Sequence, residues 1–372
     1  MDEKQQQTNK ELRKNIFVIV WPVFVEVLLG ALFGMVDMMM VGKIPGDTAA
    51  AVSAVGMTNQ PMFLALSLIQ ALNVGGTAII ARYFGAKKFN RMGNILKHVM
   101  ILAMIFCVTP AAILMLIFAP EILSLLGGDA TVINVGVDYF RIVTIGFVFQ
   151  SLSFTVTAAL RGIGETKIPM KNNIIANSCN VVGNAILIYG MFGFPALGVT
   201  GAAIATALSN FIAMVLNVSY ILSGKSVLKL DFKEKFEFSV DVMRDLVRIG
   251  IPTALEQMAL RFGVIMFLKI VSGLGNNVYA AHQIALNVLS LSYSPAQAFG
   301  ITASSLMGQS LGAKDEKLAE RYTKMCQRMG LTLAIMMTVS IYFGASLLAG
   351  IYTDNVEIIQ NTIIALSIVA FV

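Results

Sequence analysis

Charge is scarce in this chain. Of its 372 residues only 13% are Asp, Glu, Lys or Arg, about half the share of an average soluble domain. Cysteine is scarcer still: Cys107, Cys179 and Cys326 stand far apart with no C-x-x-C spacing. That excludes a disulfide framework and a thiolate metal site, and the three read as small apolar fillers. With two histidines, His98 and His282, there is no H-E-x-x-H zinc motif. No G-x-x-x-x-G-K-[ST] loop occurs either, since "SGKS" at 223–226 lacks the upstream glycine. A nucleotide-driven pump and an intramembrane metallohydrolase therefore lack their sequence signals, and the chain reads as no enzyme, with no cofactor. None of the long apolar runs alternates as a half-buried strand would.

Apolar residues are what the chain has in abundance: 57% of the sequence, with a mean hydropathy of +0.77. Runs of about 20 residues, enough to cross a bilayer, recur at 16–41, 49–78, 95–119, 135–160, 168–189, 199–222, 246–271, 278–306 and 329–348. Lipid offers backbone groups no partner outside their own segment, so these runs are read as helices. The last run, "IIQNTIIALSIVAFV", holds only 15 residues, too few to cross at about 1.5 Å per residue. The expectation is an all-α integral membrane protein with about ten transmembrane helices, the tenth incomplete because the chain is cut inside it.

Basic residues fix the expected orientation, because Lys and Arg stay on the cytoplasmic side. Of the 27, 23 fall in alternate breaks: before the first helix and at 82–97, 161–171, 225–248 and 314–328. The N-terminus is thus expected in the cytoplasm of a multi-pass inner (plasma) membrane protein. The first span has no small-residue cleavage site and reads as uncleaved. The net charge of +6 is then membrane topology, with the bilayer as partner and no nucleic acid.

The chain also repeats itself. At an offset of 230, "WPVFVE" from Trp21 overlies "IPTALE" from Ile251; at 227, "IIARYFGAKK" from Ile79 overlies "LMGQSLGAKD" from Leu306. Both prolines open a helix at the basic end, so the halves are parallel copies about an axis along the membrane normal. This divides the chain into an N-terminal lobe (1–223), a linker (224–243) and an incomplete C-terminal lobe (244–372). The Lys-and-apolar alternation of "GKSVLKLDFKEKFEFS" suggests a linker lying on the anionic inner surface or a solvated loop.

"FGMVDMMMVGKI", "RGIGETKIPM", "LGVTGAAIATALSN", "GIPTALEQ" and "AAHQIALNV" stand in an order that spans nearly the whole chain. Together they resemble the multidrug and toxic compound extrusion (MATE) family of secondary transporters. The resemblance implies two parallel-repeat helical lobes, six plus six helices in the family. It also implies antiport of small organic, often cationic, substrates out of the cytoplasm against H⁺ or Na⁺, by alternating access. A monomer is expected.

Within the spans, polar residues are few and patterned. Asp37 lies in an otherwise apolar run, where a carboxylate costs about 2.5 to 3.5 kcal/mol on insertion scales. Its offset is either a structural hydrogen bond that locks helix packing or a cation, H⁺ or a hard ion such as Na⁺. In the fifth span Asn173, Asn177, Asn180 and Asn184 follow at intervals of four, three and four, and in the sixth Thr206, Asn210 and Asn217 at four and seven. Each set occupies one helical face. Such stripes should face the lobe interior, because lipid offers their amides no partner. In the seventh, Glu256 and Gln257 precede Arg261; in the eighth, Gln283, Asn287, Ser290, Ser294 and Gln297 form a stripe that reads as a cavity wall. Asn173, Asn177, Asn210 and these eight are the candidate substrate path. Glu26 and Glu256, which correspond in the repeat, read as structural or gating groups, and His282 as packing. Met35, Met38, Met39 and Met40 around Asp37 read as core or as a soft wall for varied ligands.

The resemblance assigns the cation site to Asp37, Asn180, Asn184 and Thr206, and suggests that the first helix bends at Pro22 when Asp37 changes its cation state. Some members carry an aspartate where this chain has Asn184. One carboxylate in place of two favours H⁺ over Na⁺, with Na⁺ at these four residues the alternative. The competing readings are a flippase for a lipid-linked precursor, which would need more cavity cations than Arg261 and Lys269, and a channel or non-transporting membrane protein.

Overall fold

The structure, a computed structural model, describes residues 3–44, 48–230, 236–272, 276–352 and 356–369. Among them are twelve α-helices and no strand. The long ones are α1 (Glu3–Val41), α2 (Thr48–Gly85), α6 (Ala130–Gly162), α7 (Lys167–Tyr189), α8 (Gly198–Leu222), α9 (Val240–Ser272), α10 (Asn276–Gly312) and α11 (Glu316–Tyr352). Three shorter pieces, α3 (Phe89–Leu102), α4 (Thr109–Ile117) and α5 (Ala119–Leu125), lie between α2 and α6, and α12 (Val356–Val369) follows α11.

Most helices match the expected spans, but the third, read as continuous over 95–119, is broken. Its middle, Ala103–Val108, is a π-helical stretch. The cause is Pro110, which has no N–H for the carbonyl four residues earlier and whose ring crowds that carbonyl, so the ladder shifts register just upstream. Pro120 at the start of α5 similarly ends α4 at Phe118. Pro22, Pro61, Pro252 and Pro295 instead lie inside continuous helices.

Among the described residues, six stretches are long and apolar enough to cross a membrane: 9–41, 50–85, 89–117, 130–162, 198–222 and 316–350. Over their described residues, α7, α9 and α10 do not meet that measure. The amides along α7 lower its hydropathy, and a membrane tolerates them because neighbouring helices cover that face.

Helix α8 packs on both α6 and α7, α2 packs on both α6 and α9, and α1 lies against α7 and α10. Small buried residues on α8, among them Ala202, Ala203 and Ala205, let backbones approach closely where apolar burial supplies no drive between helices. One core gathers Met62, Ile69, Phe140 and Phe147; another gathers Ile80, Leu96, Val99, Leu160 and Leu246. Leu12, Ile16, Phe299, Leu306 and Tyr322 join α1 to α10 and α11.

The inter-lobe segment alternates exposed and buried residues from 225 to 230. Ser226, Leu228 and Leu230 are buried in the core that holds Leu96 and Leu246, and His98 fastens the far end. His98 Nε2 accepts from the Ser239 backbone N–H at 3.0 Å, so its proton sits on Nδ1, which donates to the Asn94 carbonyl at 2.8 Å. Asn94 in turn donates to the Glu237 carbonyl at 2.7 Å, and Phe236 and Phe238 flank the ring at 4.6 and 5.8 Å. Ser239 also caps α9, accepting from Val242 N–H. Residues 231–235 of the predicted linker lie outside the described residues.

His98→Ala removes a fully buried ring and leaves the Ser239 N–H without its acceptor, a loss of about 3 kcal/mol. Limited proteolysis of the 225–239 segment should become at least about tenfold faster. An unchanged cleavage rate would mean that the ring does not hold the segment.

Candidate cation site and central cavity

Helices α1 and α7 run side by side in the same direction, tied near one end by Tyr189 Oη, which donates to the Met40 carbonyl at 2.8 Å, and joined along their length at two amide–carboxylate rungs. Asn173 donates its amide to Glu26 Oε1, and Asn184 donates to Asp37 Oδ1. The rungs are eleven residues apart on both helices, three turns, so both fall on one face.

The upper rung extends into a chain of amides. Asn184 Nδ2 also reaches Asn180 Oδ1 at 3.4 Å, and Asn180 Nδ2 reaches Thr206 Oγ1 on α8 at 3.4 Å. Asn184 is fully buried and Asn180 nearly so. The four residues expected to share a cation site are therefore together, on three helices. Tyr139 of α6, also buried, is within electrostatic range of Asp37. No sequence spacing pointed to it.

What Asp37 lacks defines the chemistry. Two ion pairs are present among the described residues, Glu26 with Arg161 and Lys324 with Glu320, and neither neutralises Asp37. An amide can orient a carboxylate but cannot cancel its charge. Asn184 Oδ1 is also enclosed without a hydrogen-bond partner. Carboxylate, carbonyl and hydroxyl oxygens in one cluster form a donor set that suits a hard cation, and the same carboxylate can hold a proton.

A cavity of about 890 Å³ lies between the helices, lined from α1, α2, α6, α7, α8, α9 and α10. Of the residues expected on a substrate path, Asn173, Asn177, Asn210, Gln257, Arg261 and Gln297 line it. Glu256 does not: it is exposed on another face of α9, because one residue of helix turns the side chain about 100° away from Gln257. Ser294 is buried but off the cavity, and the side chains of Gln283, Asn287, Ser290 and Lys269 lie outside the described residues. His282 packs its ring 5.3 Å from Phe267. The cavity wall contains no methionine among the described residues; its aromatic surface is Phe63 and Phe154. Met38 and Met40 pack into the core instead.

Several lining residues escaped the sequence reading: Gln70, Asn73 and Thr77 on α2, and Gln150, Ser153, Thr157 and Arg161 on α6. Their intervals of three and four are the same one-face signal that revealed the asparagine stripe. Asn217, by contrast, serves packing: fully buried, it donates to Ser153 Oγ at 2.9 Å and accepts from Asn172 at 2.8 Å.

At the basic end the two repeats meet backbone to backbone. A Cβ placed on Gly85 would lie 1.8 Å from the Gln309 carbonyl oxygen, and one on Gly312 would lie 1.9 Å from that of Arg82. Each glycine thus meets the residue three positions before the other. Gly85 and Gly312 are the glycines of the two Gly-Ala-Lys loops that the repeat aligns, so the contact is two-fold symmetric within one chain. Ser305 Oγ donates to the Arg161 carbonyl at 2.8 Å and Gln309 Nε2 to the Gly162 carbonyl at 2.9 Å.

Comparison with known proteins follows the same outline. The MatE family model matches residues 22–186 and 252–372; the two matches begin at Pro22 and Pro252, 230 residues apart. The chain is 27% identical over 355 residues to "Probable multidrug resistance protein NorM" of Thermotoga maritima, covering 94% of this chain and 74% of that protein. It is 28% identical over 317 residues to "Probable multidrug resistance protein YoeA" of Bacillus subtilis, covering 84% and 67%. A mutant of the Vibrio cholerae MATE transporter VcmN superposes with a TM-score of 0.88 at 20% identity, over 98% of this chain and 82% of that one. An outward-facing multidrug resistance MATE family transporter superposes with a TM-score of 0.86 at 22% identity, over 95% and 78%. The asparagine-wired helices, the duplicated halves and these matches agree: the chain belongs to the MatE family, the multidrug and toxic compound extrusion transporters, as a multi-pass membrane protein and not an enzyme.

Proposed function

We propose that this chain exports small organic compounds, often cationic ones, from the cytoplasm by exchange against a cation, with H⁺ the coupling ion and Na⁺ the alternative. The observation that carries the proposal is Asp37: a membrane-depth carboxylate wired to Asn184, Asn180 and Thr206 with no cationic side chain paired to it among the described residues. A charge left uncompensated there is costly, so Asp37 holds a mobile cation for part of its cycle. The relatives' names, multidrug resistance proteins, support the cargo class. The parallel repeat and the symmetric contact at the basic end support alternating access between two lobes, with that end facing the cytoplasm of the inner membrane.

If the ion and the organic compound exclude each other, each must lower the other's affinity. Adding an organic cation to lightly buffered, detergent-solubilised protein is therefore expected to release on the order of one proton per chain, and Asp37→Asn to release none. Displacement of bound ²²Na⁺ in place of protons would assign Na⁺. Release of neither would remove Asp37 from coupling.

Asn184 tunes the choice. Asn184→Asp adds a second charged oxygen beside Asp37 and should lower the sodium concentration for half-maximal transport about tenfold, since ligand charge sets affinity for hard cations. Unchanged sodium dependence would show that Asn184 is not a ligand.

A further inference from the structure

The two carboxylates of α1 differ in what they face. Asp37 is not on the wall of the cavity, whereas Glu26 is, together with Asn173 and Arg161. Glu26 is 8% exposed and held on both sides. The Asn173 amide fixes Oε1, and Arg161 Nη2 approaches Oε2 at 2.8 Å.

That ion pair is unsaturated. A guanidinium and a carboxylate can join through two parallel hydrogen bonds, yet Arg161 Nε is buried without a partner and Oε2 makes no well-aligned hydrogen bond. Arg161 is anchored through its backbone, where Ser305 holds its carbonyl, and this leaves the side chain free to move while its Cα stays. The other charged residue on the wall among those described is Arg261, whose guanidinium lies over the Phe63 ring at 5.6 Å. A cation entering the cavity is repelled from that side and meets one carboxylate, Glu26.

We infer that Glu26 is a second ion-exchange site, separate from Asp37, where the positive group of an amphiphilic organic cation displaces Arg161. Phe63, Phe154 and Leu66 on the same wall take the apolar body of the ligand, and Asn173 keeps the carboxylate aimed into the cavity during the exchange. Arg161 then works as an internal competitor that occupies the site when no ligand does. Because the Arg161 and Gly162 carbonyls are bound by Ser305 and Gln309 of α10, the exchange happens beside the contact between the repeats. The inference rests on the proposed export of organic cations for its ligand class, but assigns a residue that reading does not need.

The test is equilibrium binding of tetraphenylphosphonium to the full chain in nanodiscs, with Glu26→Gln and Arg161→Gln measured beside the parent. Glu26→Gln should weaken binding at least about tenfold, and Arg161→Gln should tighten it, because the competitor is gone. A purely structural ion pair would move both variants the same way. If Glu26→Gln yields no folded protein, the tightening in Arg161→Gln decides alone. Equal affinity in parent and Glu26→Gln, or weaker binding in Arg161→Gln, overturns the Glu26 assignment and leaves the exporter reading intact. Absence of binding to the parent chain overturns the organic-cation reading itself.

Discussion

Asp37→Asn is expected to reduce coupled efflux to the level of protein-free liposomes while the protein inserts and melts as the parent does. The pairing of loss and retention follows from the geometry. Asn184 donates its amide to Asp37, and an asparagine carbonyl at position 37 accepts that same hydrogen bond. The fold loses nothing, and it sheds a charge worth about 2.5 to 3.5 kcal/mol on insertion scales. What disappears is the group that can take up a cation. Asp37→Ala differs: it leaves the Asn184 amide without its acceptor in a buried site, which costs about 1 to 3 kcal/mol, so it should lose both transport and stability. The two variants separate the structural hydrogen bond from the cation site. Efflux by Asp37→Asn at the parent rate, measured in proteoliposomes, would return Asp37 to a packing role.

The second large effect is expected at the glycine contact. Gly85→Val and Gly312→Val each force a branched side chain into a space where even a Cβ would lie 1.8 or 1.9 Å from a backbone oxygen. A backbone atom cannot rotate away as a side chain can, so the helices must separate. With overpacking worth about 3 kcal/mol, the balance against the closed contact shifts on the order of a hundredfold. The double variant should abolish export and expose the basic end. Labelling of a cysteine at Gln309 by a bulky maleimide, with Cys107, Cys179 and Cys326 replaced, should rise correspondingly. Parent-like labelling and transport in the double variant would show that the lobes part without regard to this contact.

Much of this was written in the chain, for physical reasons that differ residue by residue. Asn173, Asn177, Asn180 and Asn184 could be placed on one face because a membrane helix cannot spare four amides to lipid, and Glu26 and Asp37 met that face as rungs three turns apart. The partner of Glu26 was not legible. Arg161 stands in a basic break, where the orientation rule already accounts for it, and it lies 135 residues from Glu26, so no local pattern ties them. The glycine contact was half legible: the repeat aligned Gly85 with Gly312, but alignment says that two positions are equivalent, not that they touch. Glu256 was misplaced because it adjoins Gln257 in sequence while helical rotation sends the two to different faces. The third span misled for another reason, since its hydropathy is continuous and only Pro110 marks the break.

The central claim, that a cation gradient drives export, is tested most directly by reconstituting the full chain in proteoliposomes loaded with a fluorescent organic cation. Its release is then followed under an imposed proton gradient and, separately, an imposed sodium gradient. Release accelerated by the proton gradient is expected, with sodium the driving ion if the proton gradient has no effect. Release indifferent to both gradients would contradict the exchange mechanism and favour a flippase or a protein that does not transport.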